Sequence, residues 1–270
     1  MNKRFDSNSE SQQKMTSNIK SFWNKSSQFG EMAGTKDLIA KKLEIEAIAK
    51  YVRDGQKILD IGCGNGITAI ELARHFEVDI FGIDYAEEMI KGARNSAKGL
   101  DLKGKVRFEV GDIEHLPNYG RKVDLAYTER ALINLPDWKI QKQAIRDITD
   151  QLAHRGQYAM CENSQDGLHM INNLRVRVGL KAIEPPWHNR YFRDTELEQC
   201  DFPGVVLESI DFYSSTYYFL SRVVNASIAK QEGKEPDYNS PINQLALQLP
   251  SIGSLGQGRI WVWRKVSENH

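Results

Sequence analysis

Short apolar runs and amphipathic stretches alternate between residues 57 and 161. The apolar runs have the length of buried strands, and the stretches between them repeat apolar residues at helical spacing. This pattern predicts strands at 57–61, 79–83, 106–110, 123–127 and 156–161, with helices at about 67–76, 86–98 and 138–153. Strand and helix alternating at this pitch imply right-handed crossovers and a parallel sheet covered on both faces.

The flanking segments follow other patterns. Residues 1 to about 18 are polar and predict a mobile tail, unless the bound cofactor orders them. An amphipathic helix is predicted over 35–52, with Thr35 or Asp37 available to cap it. The second half predicts a helix at 165–181, a short helix capped by Thr195, strands at 205–213 and 258–264, an aromatic helix from Tyr217 to Ala229 and an apolar helix near 242–249.

These elements predict an α/β fold. We expect a doubly wound, mostly parallel seven-stranded sheet with helices on both faces, an N-terminal helical arm and two inserted helical segments. The predicted division is a tail and lid arm at 1–34, a cofactor-binding core at 35–164, a substrate-side insertion at 165–200 and completion of the sheet at 201–270, with a helical insertion at about 217–255.

Composition narrows the class of protein. Lys and Arg total 36, as do Asp and Glu, so the net charge is zero and the chain has no excess of positive charge that would favour nucleic-acid binding. The cysteines, Cys63, Cys161 and Cys200, have neither disulfide-framework nor zinc-ligand spacing, which favours a reducing cytoplasm. The N-terminus lacks the apolar core of a signal peptide, and no run approaches the roughly 18 apolar residues of a membrane-spanning helix. We therefore expect no membrane or metal partner.

A glycine-rich segment after the first strand predicts a nucleotide loop. Gly62, Gly64 and Gly66 permit a sharp turn and close approach of a ligand. A dinucleotide fingerprint would place its third glycine at 67, where this chain has Ile67. Asp60 precedes the glycines, and its negative charge would repel a pyrophosphate but suits a cationic ligand such as a sulfonium with an amino-acid tail.

Two further carboxylates end the next strands. Asp84 closes the second strand, where an acid can accept hydrogen bonds from both ribose hydroxyls. Asp112 follows the third strand and can accept from an adenine amino group while Ile113 packs on the ring, although Asp112 alone could simply begin a turn. Such sheets bind ligands at the carboxyl ends of their strands.

The N-terminal half resembles the class I, Rossmann-like S-adenosylmethionine-dependent methyltransferases. The resemblance rests on ILDIGCGNG (58–66), GIDYAEEMI (82–90), GDIEHLP (111–117) and VDLAYTERALINL (123–135). It implies S-adenosylmethionine as methyl donor, S-adenosylhomocysteine as product and no metal. The implied cofactor-binding residues are Asp60, Gly62, Cys63, Gly64, Asp84, Tyr85, Met89, Asp112, Ile113 and Glu129.

The acceptor side is expected in the appended segments. The arm around Trp23 and Phe29 could close as a lid or simply pack the first helix on the sheet. Residues 133–192 are similar to methyltransferases of bacterial surface-polysaccharide gene sets, which implies a sugar or nucleotide-sugar acceptor. Substrate-binding residues are predicted to be Arg130, Asn134, Arg175, Trp187, His188 and Tyr191.

Methyl transfer to a hydroxyl needs in-line alignment and a base. His188, His169 and Glu129 are the predicted catalytic residues, and Glu162 lies at the same sheet edge. An amine acceptor would need positioning alone. The aromatic group Tyr213, Tyr217, Tyr218 and Phe219 favours core packing or a homodimer contact over lining of the acceptor pocket.

Other functions stay open. A dinucleotide-dependent oxidoreductase is disfavoured by Asp60 and Ile67. Methylation of an adenine amine or an amide is disfavoured because the fourth strand continues as TERA (128–131), without the Asn/Asp-Pro-Pro-aromatic loop that would clasp a planar amine. Methylation of another metabolite, of a protein, or cofactor binding without turnover are the remaining alternatives.

Overall fold

The computed structural model describes residues 3–116 and 122–266, and for residues 3–14, 31 and 32 the backbone alone. Its centre is a seven-stranded sheet in the order β3-β2-β1-β4-β5-β7-β6. The strands are β1 Lys57–Ile61, β2 Asp79–Asp84, β3 Lys105–Val110, β4 Val123–Glu129, β5 Leu152–Asn163, β6 Val205–Asp211 and β7 Gly258–Lys265. Strands β1 to β5 are parallel, and β7 runs antiparallel to both β5 and β6. The predicted mostly parallel sheet is confirmed.

Helices cover both faces of this sheet. The principal ones are α1 Lys3–Ser26, α2 Leu38–Ala49, α3 Ile67–His75, α4 Glu87–Ala97, α5 Trp138–Asp150 and α6 Gln165–Arg177. Shorter ones are α7 Asp194–Glu198, α8 Ser215–Phe219, α9 Ala226–Gln231 and α10 Pro241–Ala246, with a π-helical segment Leu220–Asn225 joining α8 to α9. The chain order reverses between β1 and β4, so a crevice opens at the carboxyl ends of these strands.

The core lies on both sides of the sheet. Leu59, Trp261 and Trp263 are buried in a cluster on one face, while Ile58 and Val262 are buried in a cluster on the other. Alternate residues of a strand point to opposite faces, so these strands are apolar on both sides.

The aromatic group predicted in the second half is mainly core. Tyr217 and Tyr218 pack in a third cluster with Ile39 of α2 and Ile171 of α6. Phe219 is 36% exposed. The insertion between β6 and β7 is thereby fastened against the elements that face the crevice.

Two local predictions were wrong. The predicted mobile tail is helical from Lys3, and Ile19 of α1 is buried. Asn24 Oδ1 accepts a hydrogen bond from the backbone N–H of Glu88 at 3.2 Å, so α1 is held by contacts with α4 that its polar composition does not reveal. The short helix α7 begins after Arg193, with Thr195 inside it, because the Glu196 carboxylate accepts from the Arg193 N–H at 3.1 Å.

Other helix boundaries follow the predictions closely. The cap of α2 is Asp37, whose Oδ1 accepts from the Ala40 N–H at 3.0 Å. Pro117 of the third motif, together with residues 1 and 2 of the tail, lies outside the described residues. The division of the chain into domains stays a prediction.

Candidate active site

The glycine loop connects β1 to α3. Gly62, Gly64 and Gly66 all have positive φ, at 75°, 51° and 73°. A Cβ on Gly62 would stand 2.4 Å from the Cβ of Ala131, so the loop lies directly against the segment after β4. Only glycine combines this left-handed backbone with so close an approach.

A cavity opens beside this loop at the carboxyl ends of β1, β2 and β4. All ten predicted cofactor-binding residues line it, namely Asp60, Gly62, Cys63, Gly64, Asp84, Tyr85, Met89, Asp112, Ile113 and Glu129. The N-terminal arm contributes Trp23, Gly30, Gly34 and Thr35 to the same wall. We call this space the first cavity.

Asp84 joins the loop to the second strand. Its Oδ2 accepts from the Gly64 N–H at 2.9 Å and its Oδ1 from the Ala86 N–H at 2.8 Å. Burial raises the pKa of Asp84 to about 6, although these two N–H groups oppose the rise. The carboxylate therefore both shapes the loop and faces the first cavity.

Asp60 is buried within β1 and faces the same cavity. It is 2% exposed, and burial raises its pKa to about 8. Within the described residues, Asp60 Oδ2, Asn65 Oδ1 and Tyr85 Oη are buried at the cavity wall outside hydrogen-bond geometry, although the Tyr127 hydroxyl lies near enough to Asp60 to oppose the rise in its pKa. An unsatisfied buried polar atom costs about 1–3 kcal/mol, so this wall is built to meet a polar ligand.

Asp112 has local partners. Its Oδ1 accepts from the Glu114 N–H at 2.9 Å, and its Oδ2 lies 3.1 Å from His115 Nδ1. The side chain thus caps the short 3₁₀ helix Ile113–His115, as a residue that begins a turn would. Contact between Asp112 and an adenine stays a prediction.

Glu129 ends β4 in a network of buried charge. Its two oxygens bind Lys41 Nζ and Thr68 Oγ1, each at 2.5 Å. Burial alone would raise the pKa of Glu129, but the Lys41 and Arg130 cations outweigh it and lower the pKa. Burial also raises the pKa of Glu44, which forms an ion pair with Arg130 at 3.1 Å. At neutral pH Glu129 is therefore ionised and held by Lys41.

A second cavity adjoins the first. The two cavities share wall residues from the arm and from the segment after β4, which are Trp23, Ala33, Gly34, Thr35, Arg130 and Asn134. Arg130 has the left-handed φ of 53°, rare for a residue with a side chain, and donates from Nη1 to the Gly34 carbonyl at 2.9 Å. This contact holds the arm across the boundary between the cavities.

Of the predicted substrate-binding residues, the second cavity gathers Arg130, Asn134, Arg175, His188 and Tyr191. Trp187 is 62% exposed and is absent from the described lining of this cavity. Its ring contacts His188 edge-on, with centroids 5.3 Å apart. Trp187 therefore covers the histidine from outside.

His188 is fixed by Asn134. Asn134 Nδ2 donates to the carbonyls of Arg130 and Ala131, at 2.9 and 3.2 Å, so Asn134 Oδ1 faces the other way. That oxygen lies 3.0 Å from His188 Nδ1 and 3.2 Å from Trp23 Nε1. The same Nδ1 also lies 3.1 Å from Asn189 Nδ2, which can only donate, so Nδ1 faces both an acceptor and a donor and either neutral tautomer fits these contacts. Burial lowers the pKa of His188, which favours the neutral ring.

The comparisons with known proteins bear on the strands and loops just described. Residues 53–182 match a family model described as a methyltransferase domain. The matched residues, which we call the methyltransferase domain, make up just under half of the chain. This match covers the glycine loop, the ends of β1 to β4 and α6.

The chain is similar to named curated proteins. It is 35% identical over 96 residues to the 27-O-demethylrifamycin SV methyltransferase of Amycolatopsis mediterranei, covering 35% of this chain and 35% of that protein. It is 31% identical over 138 residues to a carboxy-S-adenosyl-L-methionine synthase of Nautilia profundicola, covering 50% of this chain and 56% of that one. The match thus spans about a third to just over half of these relatives.

A solved structure supports the fold of the methyltransferase domain. The crystal structure of the [4+2]-cyclase SpnF superposes with a TM-score of 0.55 over 82% of this chain and 79% of that one, at 22% identity. Such a likeness shows the fold alone. Together with the sheet order, it gives a Rossmann-like methyltransferase fold.

Two predicted acid–base residues lie elsewhere in the methyltransferase domain. His169 is exposed on α6 and is missing from the described lining of both cavities, because it points away from the face that packs at Leu168 and Ile171. Glu162 accepts from the backbone N–H groups of residues 131, 132 and 133 at 3.1, 2.9 and 3.3 Å. These bonds commit Glu162 to holding the turn after β4.

Sequence reasoning missed several residues of the methyltransferase domain and its additions. Lys41 and Glu44 stand three apart on α2 among apolar residues, and that interruption of the buried face could have marked them. Arg222 and Tyr238 line the second cavity from the insertion between β6 and β7, and no local sequence pattern marks them as cavity residues.

Across residues 3–116 and 122–266, no helix is both long and apolar enough to cross a bilayer. Over the same ranges, no group of three or more His, Cys, Asp and Glu side chains is placed to hold a metal ion. Cys63, Cys161 and Cys200 are free thiols.

Proposed function

We propose that the protein transfers the methyl group of S-adenosylmethionine to an oxygen or nitrogen atom of a small molecule held in the second cavity. The observation that carries this proposal is the wall shared by the two cavities at Gly34, Arg130 and Asn134. A donor in one space and an acceptor in the other would meet across that wall.

The first cavity fits S-adenosylmethionine. The unsatisfied Asp60 oxygen suits an ammonium group, and the Asp84 carboxylate faces the cavity where ribose hydroxyls could donate to it. The positive φ of Gly64 and the open space where its Cβ would stand leave the loop accessible to a ligand. When bound, S-adenosylmethionine supplies an electrophilic methyl carbon on a sulfonium.

His188 is the base that we propose for a hydroxyl acceptor. In the tautomer whose Nδ1 proton faces Asn134 Oδ1, the Nε2 lone pair takes the hydroxyl proton, and the Asn134 oxygen stabilises the imidazolium that results. Glu129 is a weaker base, because its carboxylate is held by Lys41 and its pKa is lowered. We assign Glu129 to positioning of the loop and α2 through Thr68 and Lys41.

A sugar or nucleotide-sugar is the acceptor that we propose. Trp23, Tyr191 and Tyr238 give the second cavity flat apolar surfaces for a ring, while the Asn189 amide in the same wall can give directional hydrogen bonds. The name of the rifamycin relative favours oxygen as the methyl-accepting atom. Another hydroxylated metabolite is the alternative.

We further propose a cytoplasmic enzyme without a nucleic-acid, metal or membrane partner. The three free thiols suit a reducing compartment, and the balance of 36 basic and 36 acidic residues favours a small acceptor. A homodimer stays a proposal, to be tested by light scattering.

Turnover on a panel of acceptors tests this function. Purified protein is incubated with S-adenosylmethionine and with hydroxylated acceptors that include sugars and nucleotide-sugars, and formation of S-adenosylhomocysteine is measured. We expect His188→Asn to lower turnover about 10²-fold or more at unchanged cofactor affinity, whereas His169→Asn, on the exposed face of α6, leaves turnover unchanged. Cofactor binding without product on every acceptor would favour a non-catalytic protein instead. Equal turnover of both variants would remove His188 as the base.

A further inference from the structure

In the part of the chain that the structure describes, two of the three arginines that line the second cavity form ion pairs with carboxylates, and the third does not. Arg222 binds Asp37, with Nη2 and Oδ2 2.5 Å apart, and its guanidinium lies over the Tyr238 ring at 4.7 Å. Arg130 pairs with Glu44. Arg175 lines the same cavity, yet among the described residues no carboxylate lies within ion-pair distance of it.

Two backbone carbonyls hold the guanidinium of Arg175 in place. Its Nε donates to the Lys181 carbonyl at 2.8 Å, and its Nη1 donates to the carbonyl of Arg222. Within the described part of the chain, Nη2 has no hydrogen-bond acceptor. The fork is therefore fixed with unused donors, which is the arrangement that recognises a planar or tetrahedral oxyanion.

The surroundings of Arg175 within the protein disfavour its charge. Partial burial and the nearby Arg222 cation both lower the pKa of Arg175. Of the acids that line the cavity within the described residues, Asp37 and Glu44 are committed to other arginines, and Glu184 is exposed. An anionic ligand would relieve this imbalance.

The backbone near Arg222 is irregular in a way that supports the same conclusion. The segment Leu220–Asn225 is π-helical, and its carbonyl at Arg222 is the one that Arg175 binds. π-helical turns are rare and occur frequently at functional sites. Here the turn carries Arg222 and presents the carbonyl that holds Arg175 on α6.

We propose that the acceptor carries an oxyanion, a phosphate or a carboxylate, that Arg175 binds in the second cavity with Arg222 behind it. This inference rests on the proposed function, since it names the chemical class of the acceptor. The oxyanion fixes the orientation of the acceptor and takes no part in the methyl transfer.

Calorimetry on protein saturated with S-adenosylhomocysteine tests the proposal at constant ionic strength. Inorganic pyrophosphate and malonate are titrated separately, so that tighter binding of one identifies the phosphate or the carboxylate as the preferred group. We expect Arg175→Gln to weaken this binding about tenfold or more, and Arg175→Lys, which retains the charge without the fork, to weaken it less.

Arg177→Gln is the matched control, because Arg177 is exposed at the end of the same helix and is absent from the described lining of the cavity. It should bind both probes as the wild type does. The proposal is overturned if the wild type binds neither probe, or if Arg175→Gln binds them as tightly as the wild type. Failure of S-adenosylhomocysteine itself to bind would instead count against the proposed function.

Discussion

Replacement of Asp60 by Asn should stabilise the ligand-free protein while weakening its affinity for the cofactor. Burial raises the pKa of Asp60 from 3.8 to about 8, so the folded protein keeps this group protonated at neutral pH. Each pKa unit corresponds to about 1.4 kcal/mol, and about three units separate the ordinary pKa from pH 7. Retaining Asp60 therefore costs the folded state up to roughly 4 kcal/mol at pH 7.

The sign of the pH dependence follows from proton binding. Between about pH 4 and pH 8 the folded state binds more protons at Asp60 than the unfolded chain does, so this group makes stability fall as the pH rises. Asn carries no proton to lose. Asp60→Asn should raise the free energy of unfolding at pH 7, measured in urea, by about 1–4 kcal/mol. The free energy of unfolding of this variant should also fall less steeply with rising pH than that of the wild type.

The effect on binding has the opposite sign. If Asp60 faces the ammonium of the cofactor, it must ionise on binding and release about one proton at pH 7. Calorimetry with S-adenosylhomocysteine, in buffers of different ionisation enthalpy between about pH 6 and 7.5, measures this release. Asp60→Asn should bind at least about tenfold more weakly and release no proton.

Asp101→Asn, at an exposed position before β3, is the control and should change neither property. Equal proton release in wild type and Asp60→Asn would refute the ammonium contact. A variant that is less stable than the wild type, with an unchanged pH slope, would refute the reasoning about burial.

Three further predictions follow from the site. Asp84→Asn should weaken S-adenosylhomocysteine binding about tenfold in calorimetry with folding retained, and unchanged affinity would contradict the ribose assignment. Gly62→Ala should lower the free energy of unfolding in urea by about 2–4 kcal/mol, because φ is 75° and the new Cβ would meet Ala131. Gly64→Ala, with open space at its Cβ, should lower it by about 1 kcal/mol. Equal losses would show that the close approach to Ala131 is unimportant. Turnover with a hydroxyl acceptor should reach half its maximum at a pH below the ordinary histidine pKa of about 6.5, since burial lowers the pKa of His188, and a midpoint above that value would exclude His188 as the base.

The sequence predicted the sheet and the first cavity well for a physical reason. The carboxyl ends of parallel strands lie at the same edge of the sheet. Once the strands and the glycine loop were predicted, Asp60, Asp84 and Glu129 were therefore expected to lie close together. The antiparallel pairing of the last two strands needed the structure, since an apolar strand reads alike in either direction.

The acceptor side was harder to predict because it is made by long-range contacts. Arg130, Arg175 and Arg222 come from three distant segments, and only tertiary packing shows that Arg222 is paired and Arg175 is not. The helix α1 was missed for a similar reason, as its polar composition hides the few contacts at Ile19 and Asn24 that fix it.

The most direct test of methyl transfer across the shared wall uses a labelled donor. The protein is incubated with a small-molecule extract and S-adenosylmethionine that carries a trideuterated methyl group, and the mixture is analysed by mass spectrometry. We predict a small-molecule product in which the trideuterated methyl group replaces one hydrogen, formed together with S-adenosylhomocysteine and lost in His188→Asn. Binding of S-adenosylmethionine with no labelled product from any extract would contradict the account.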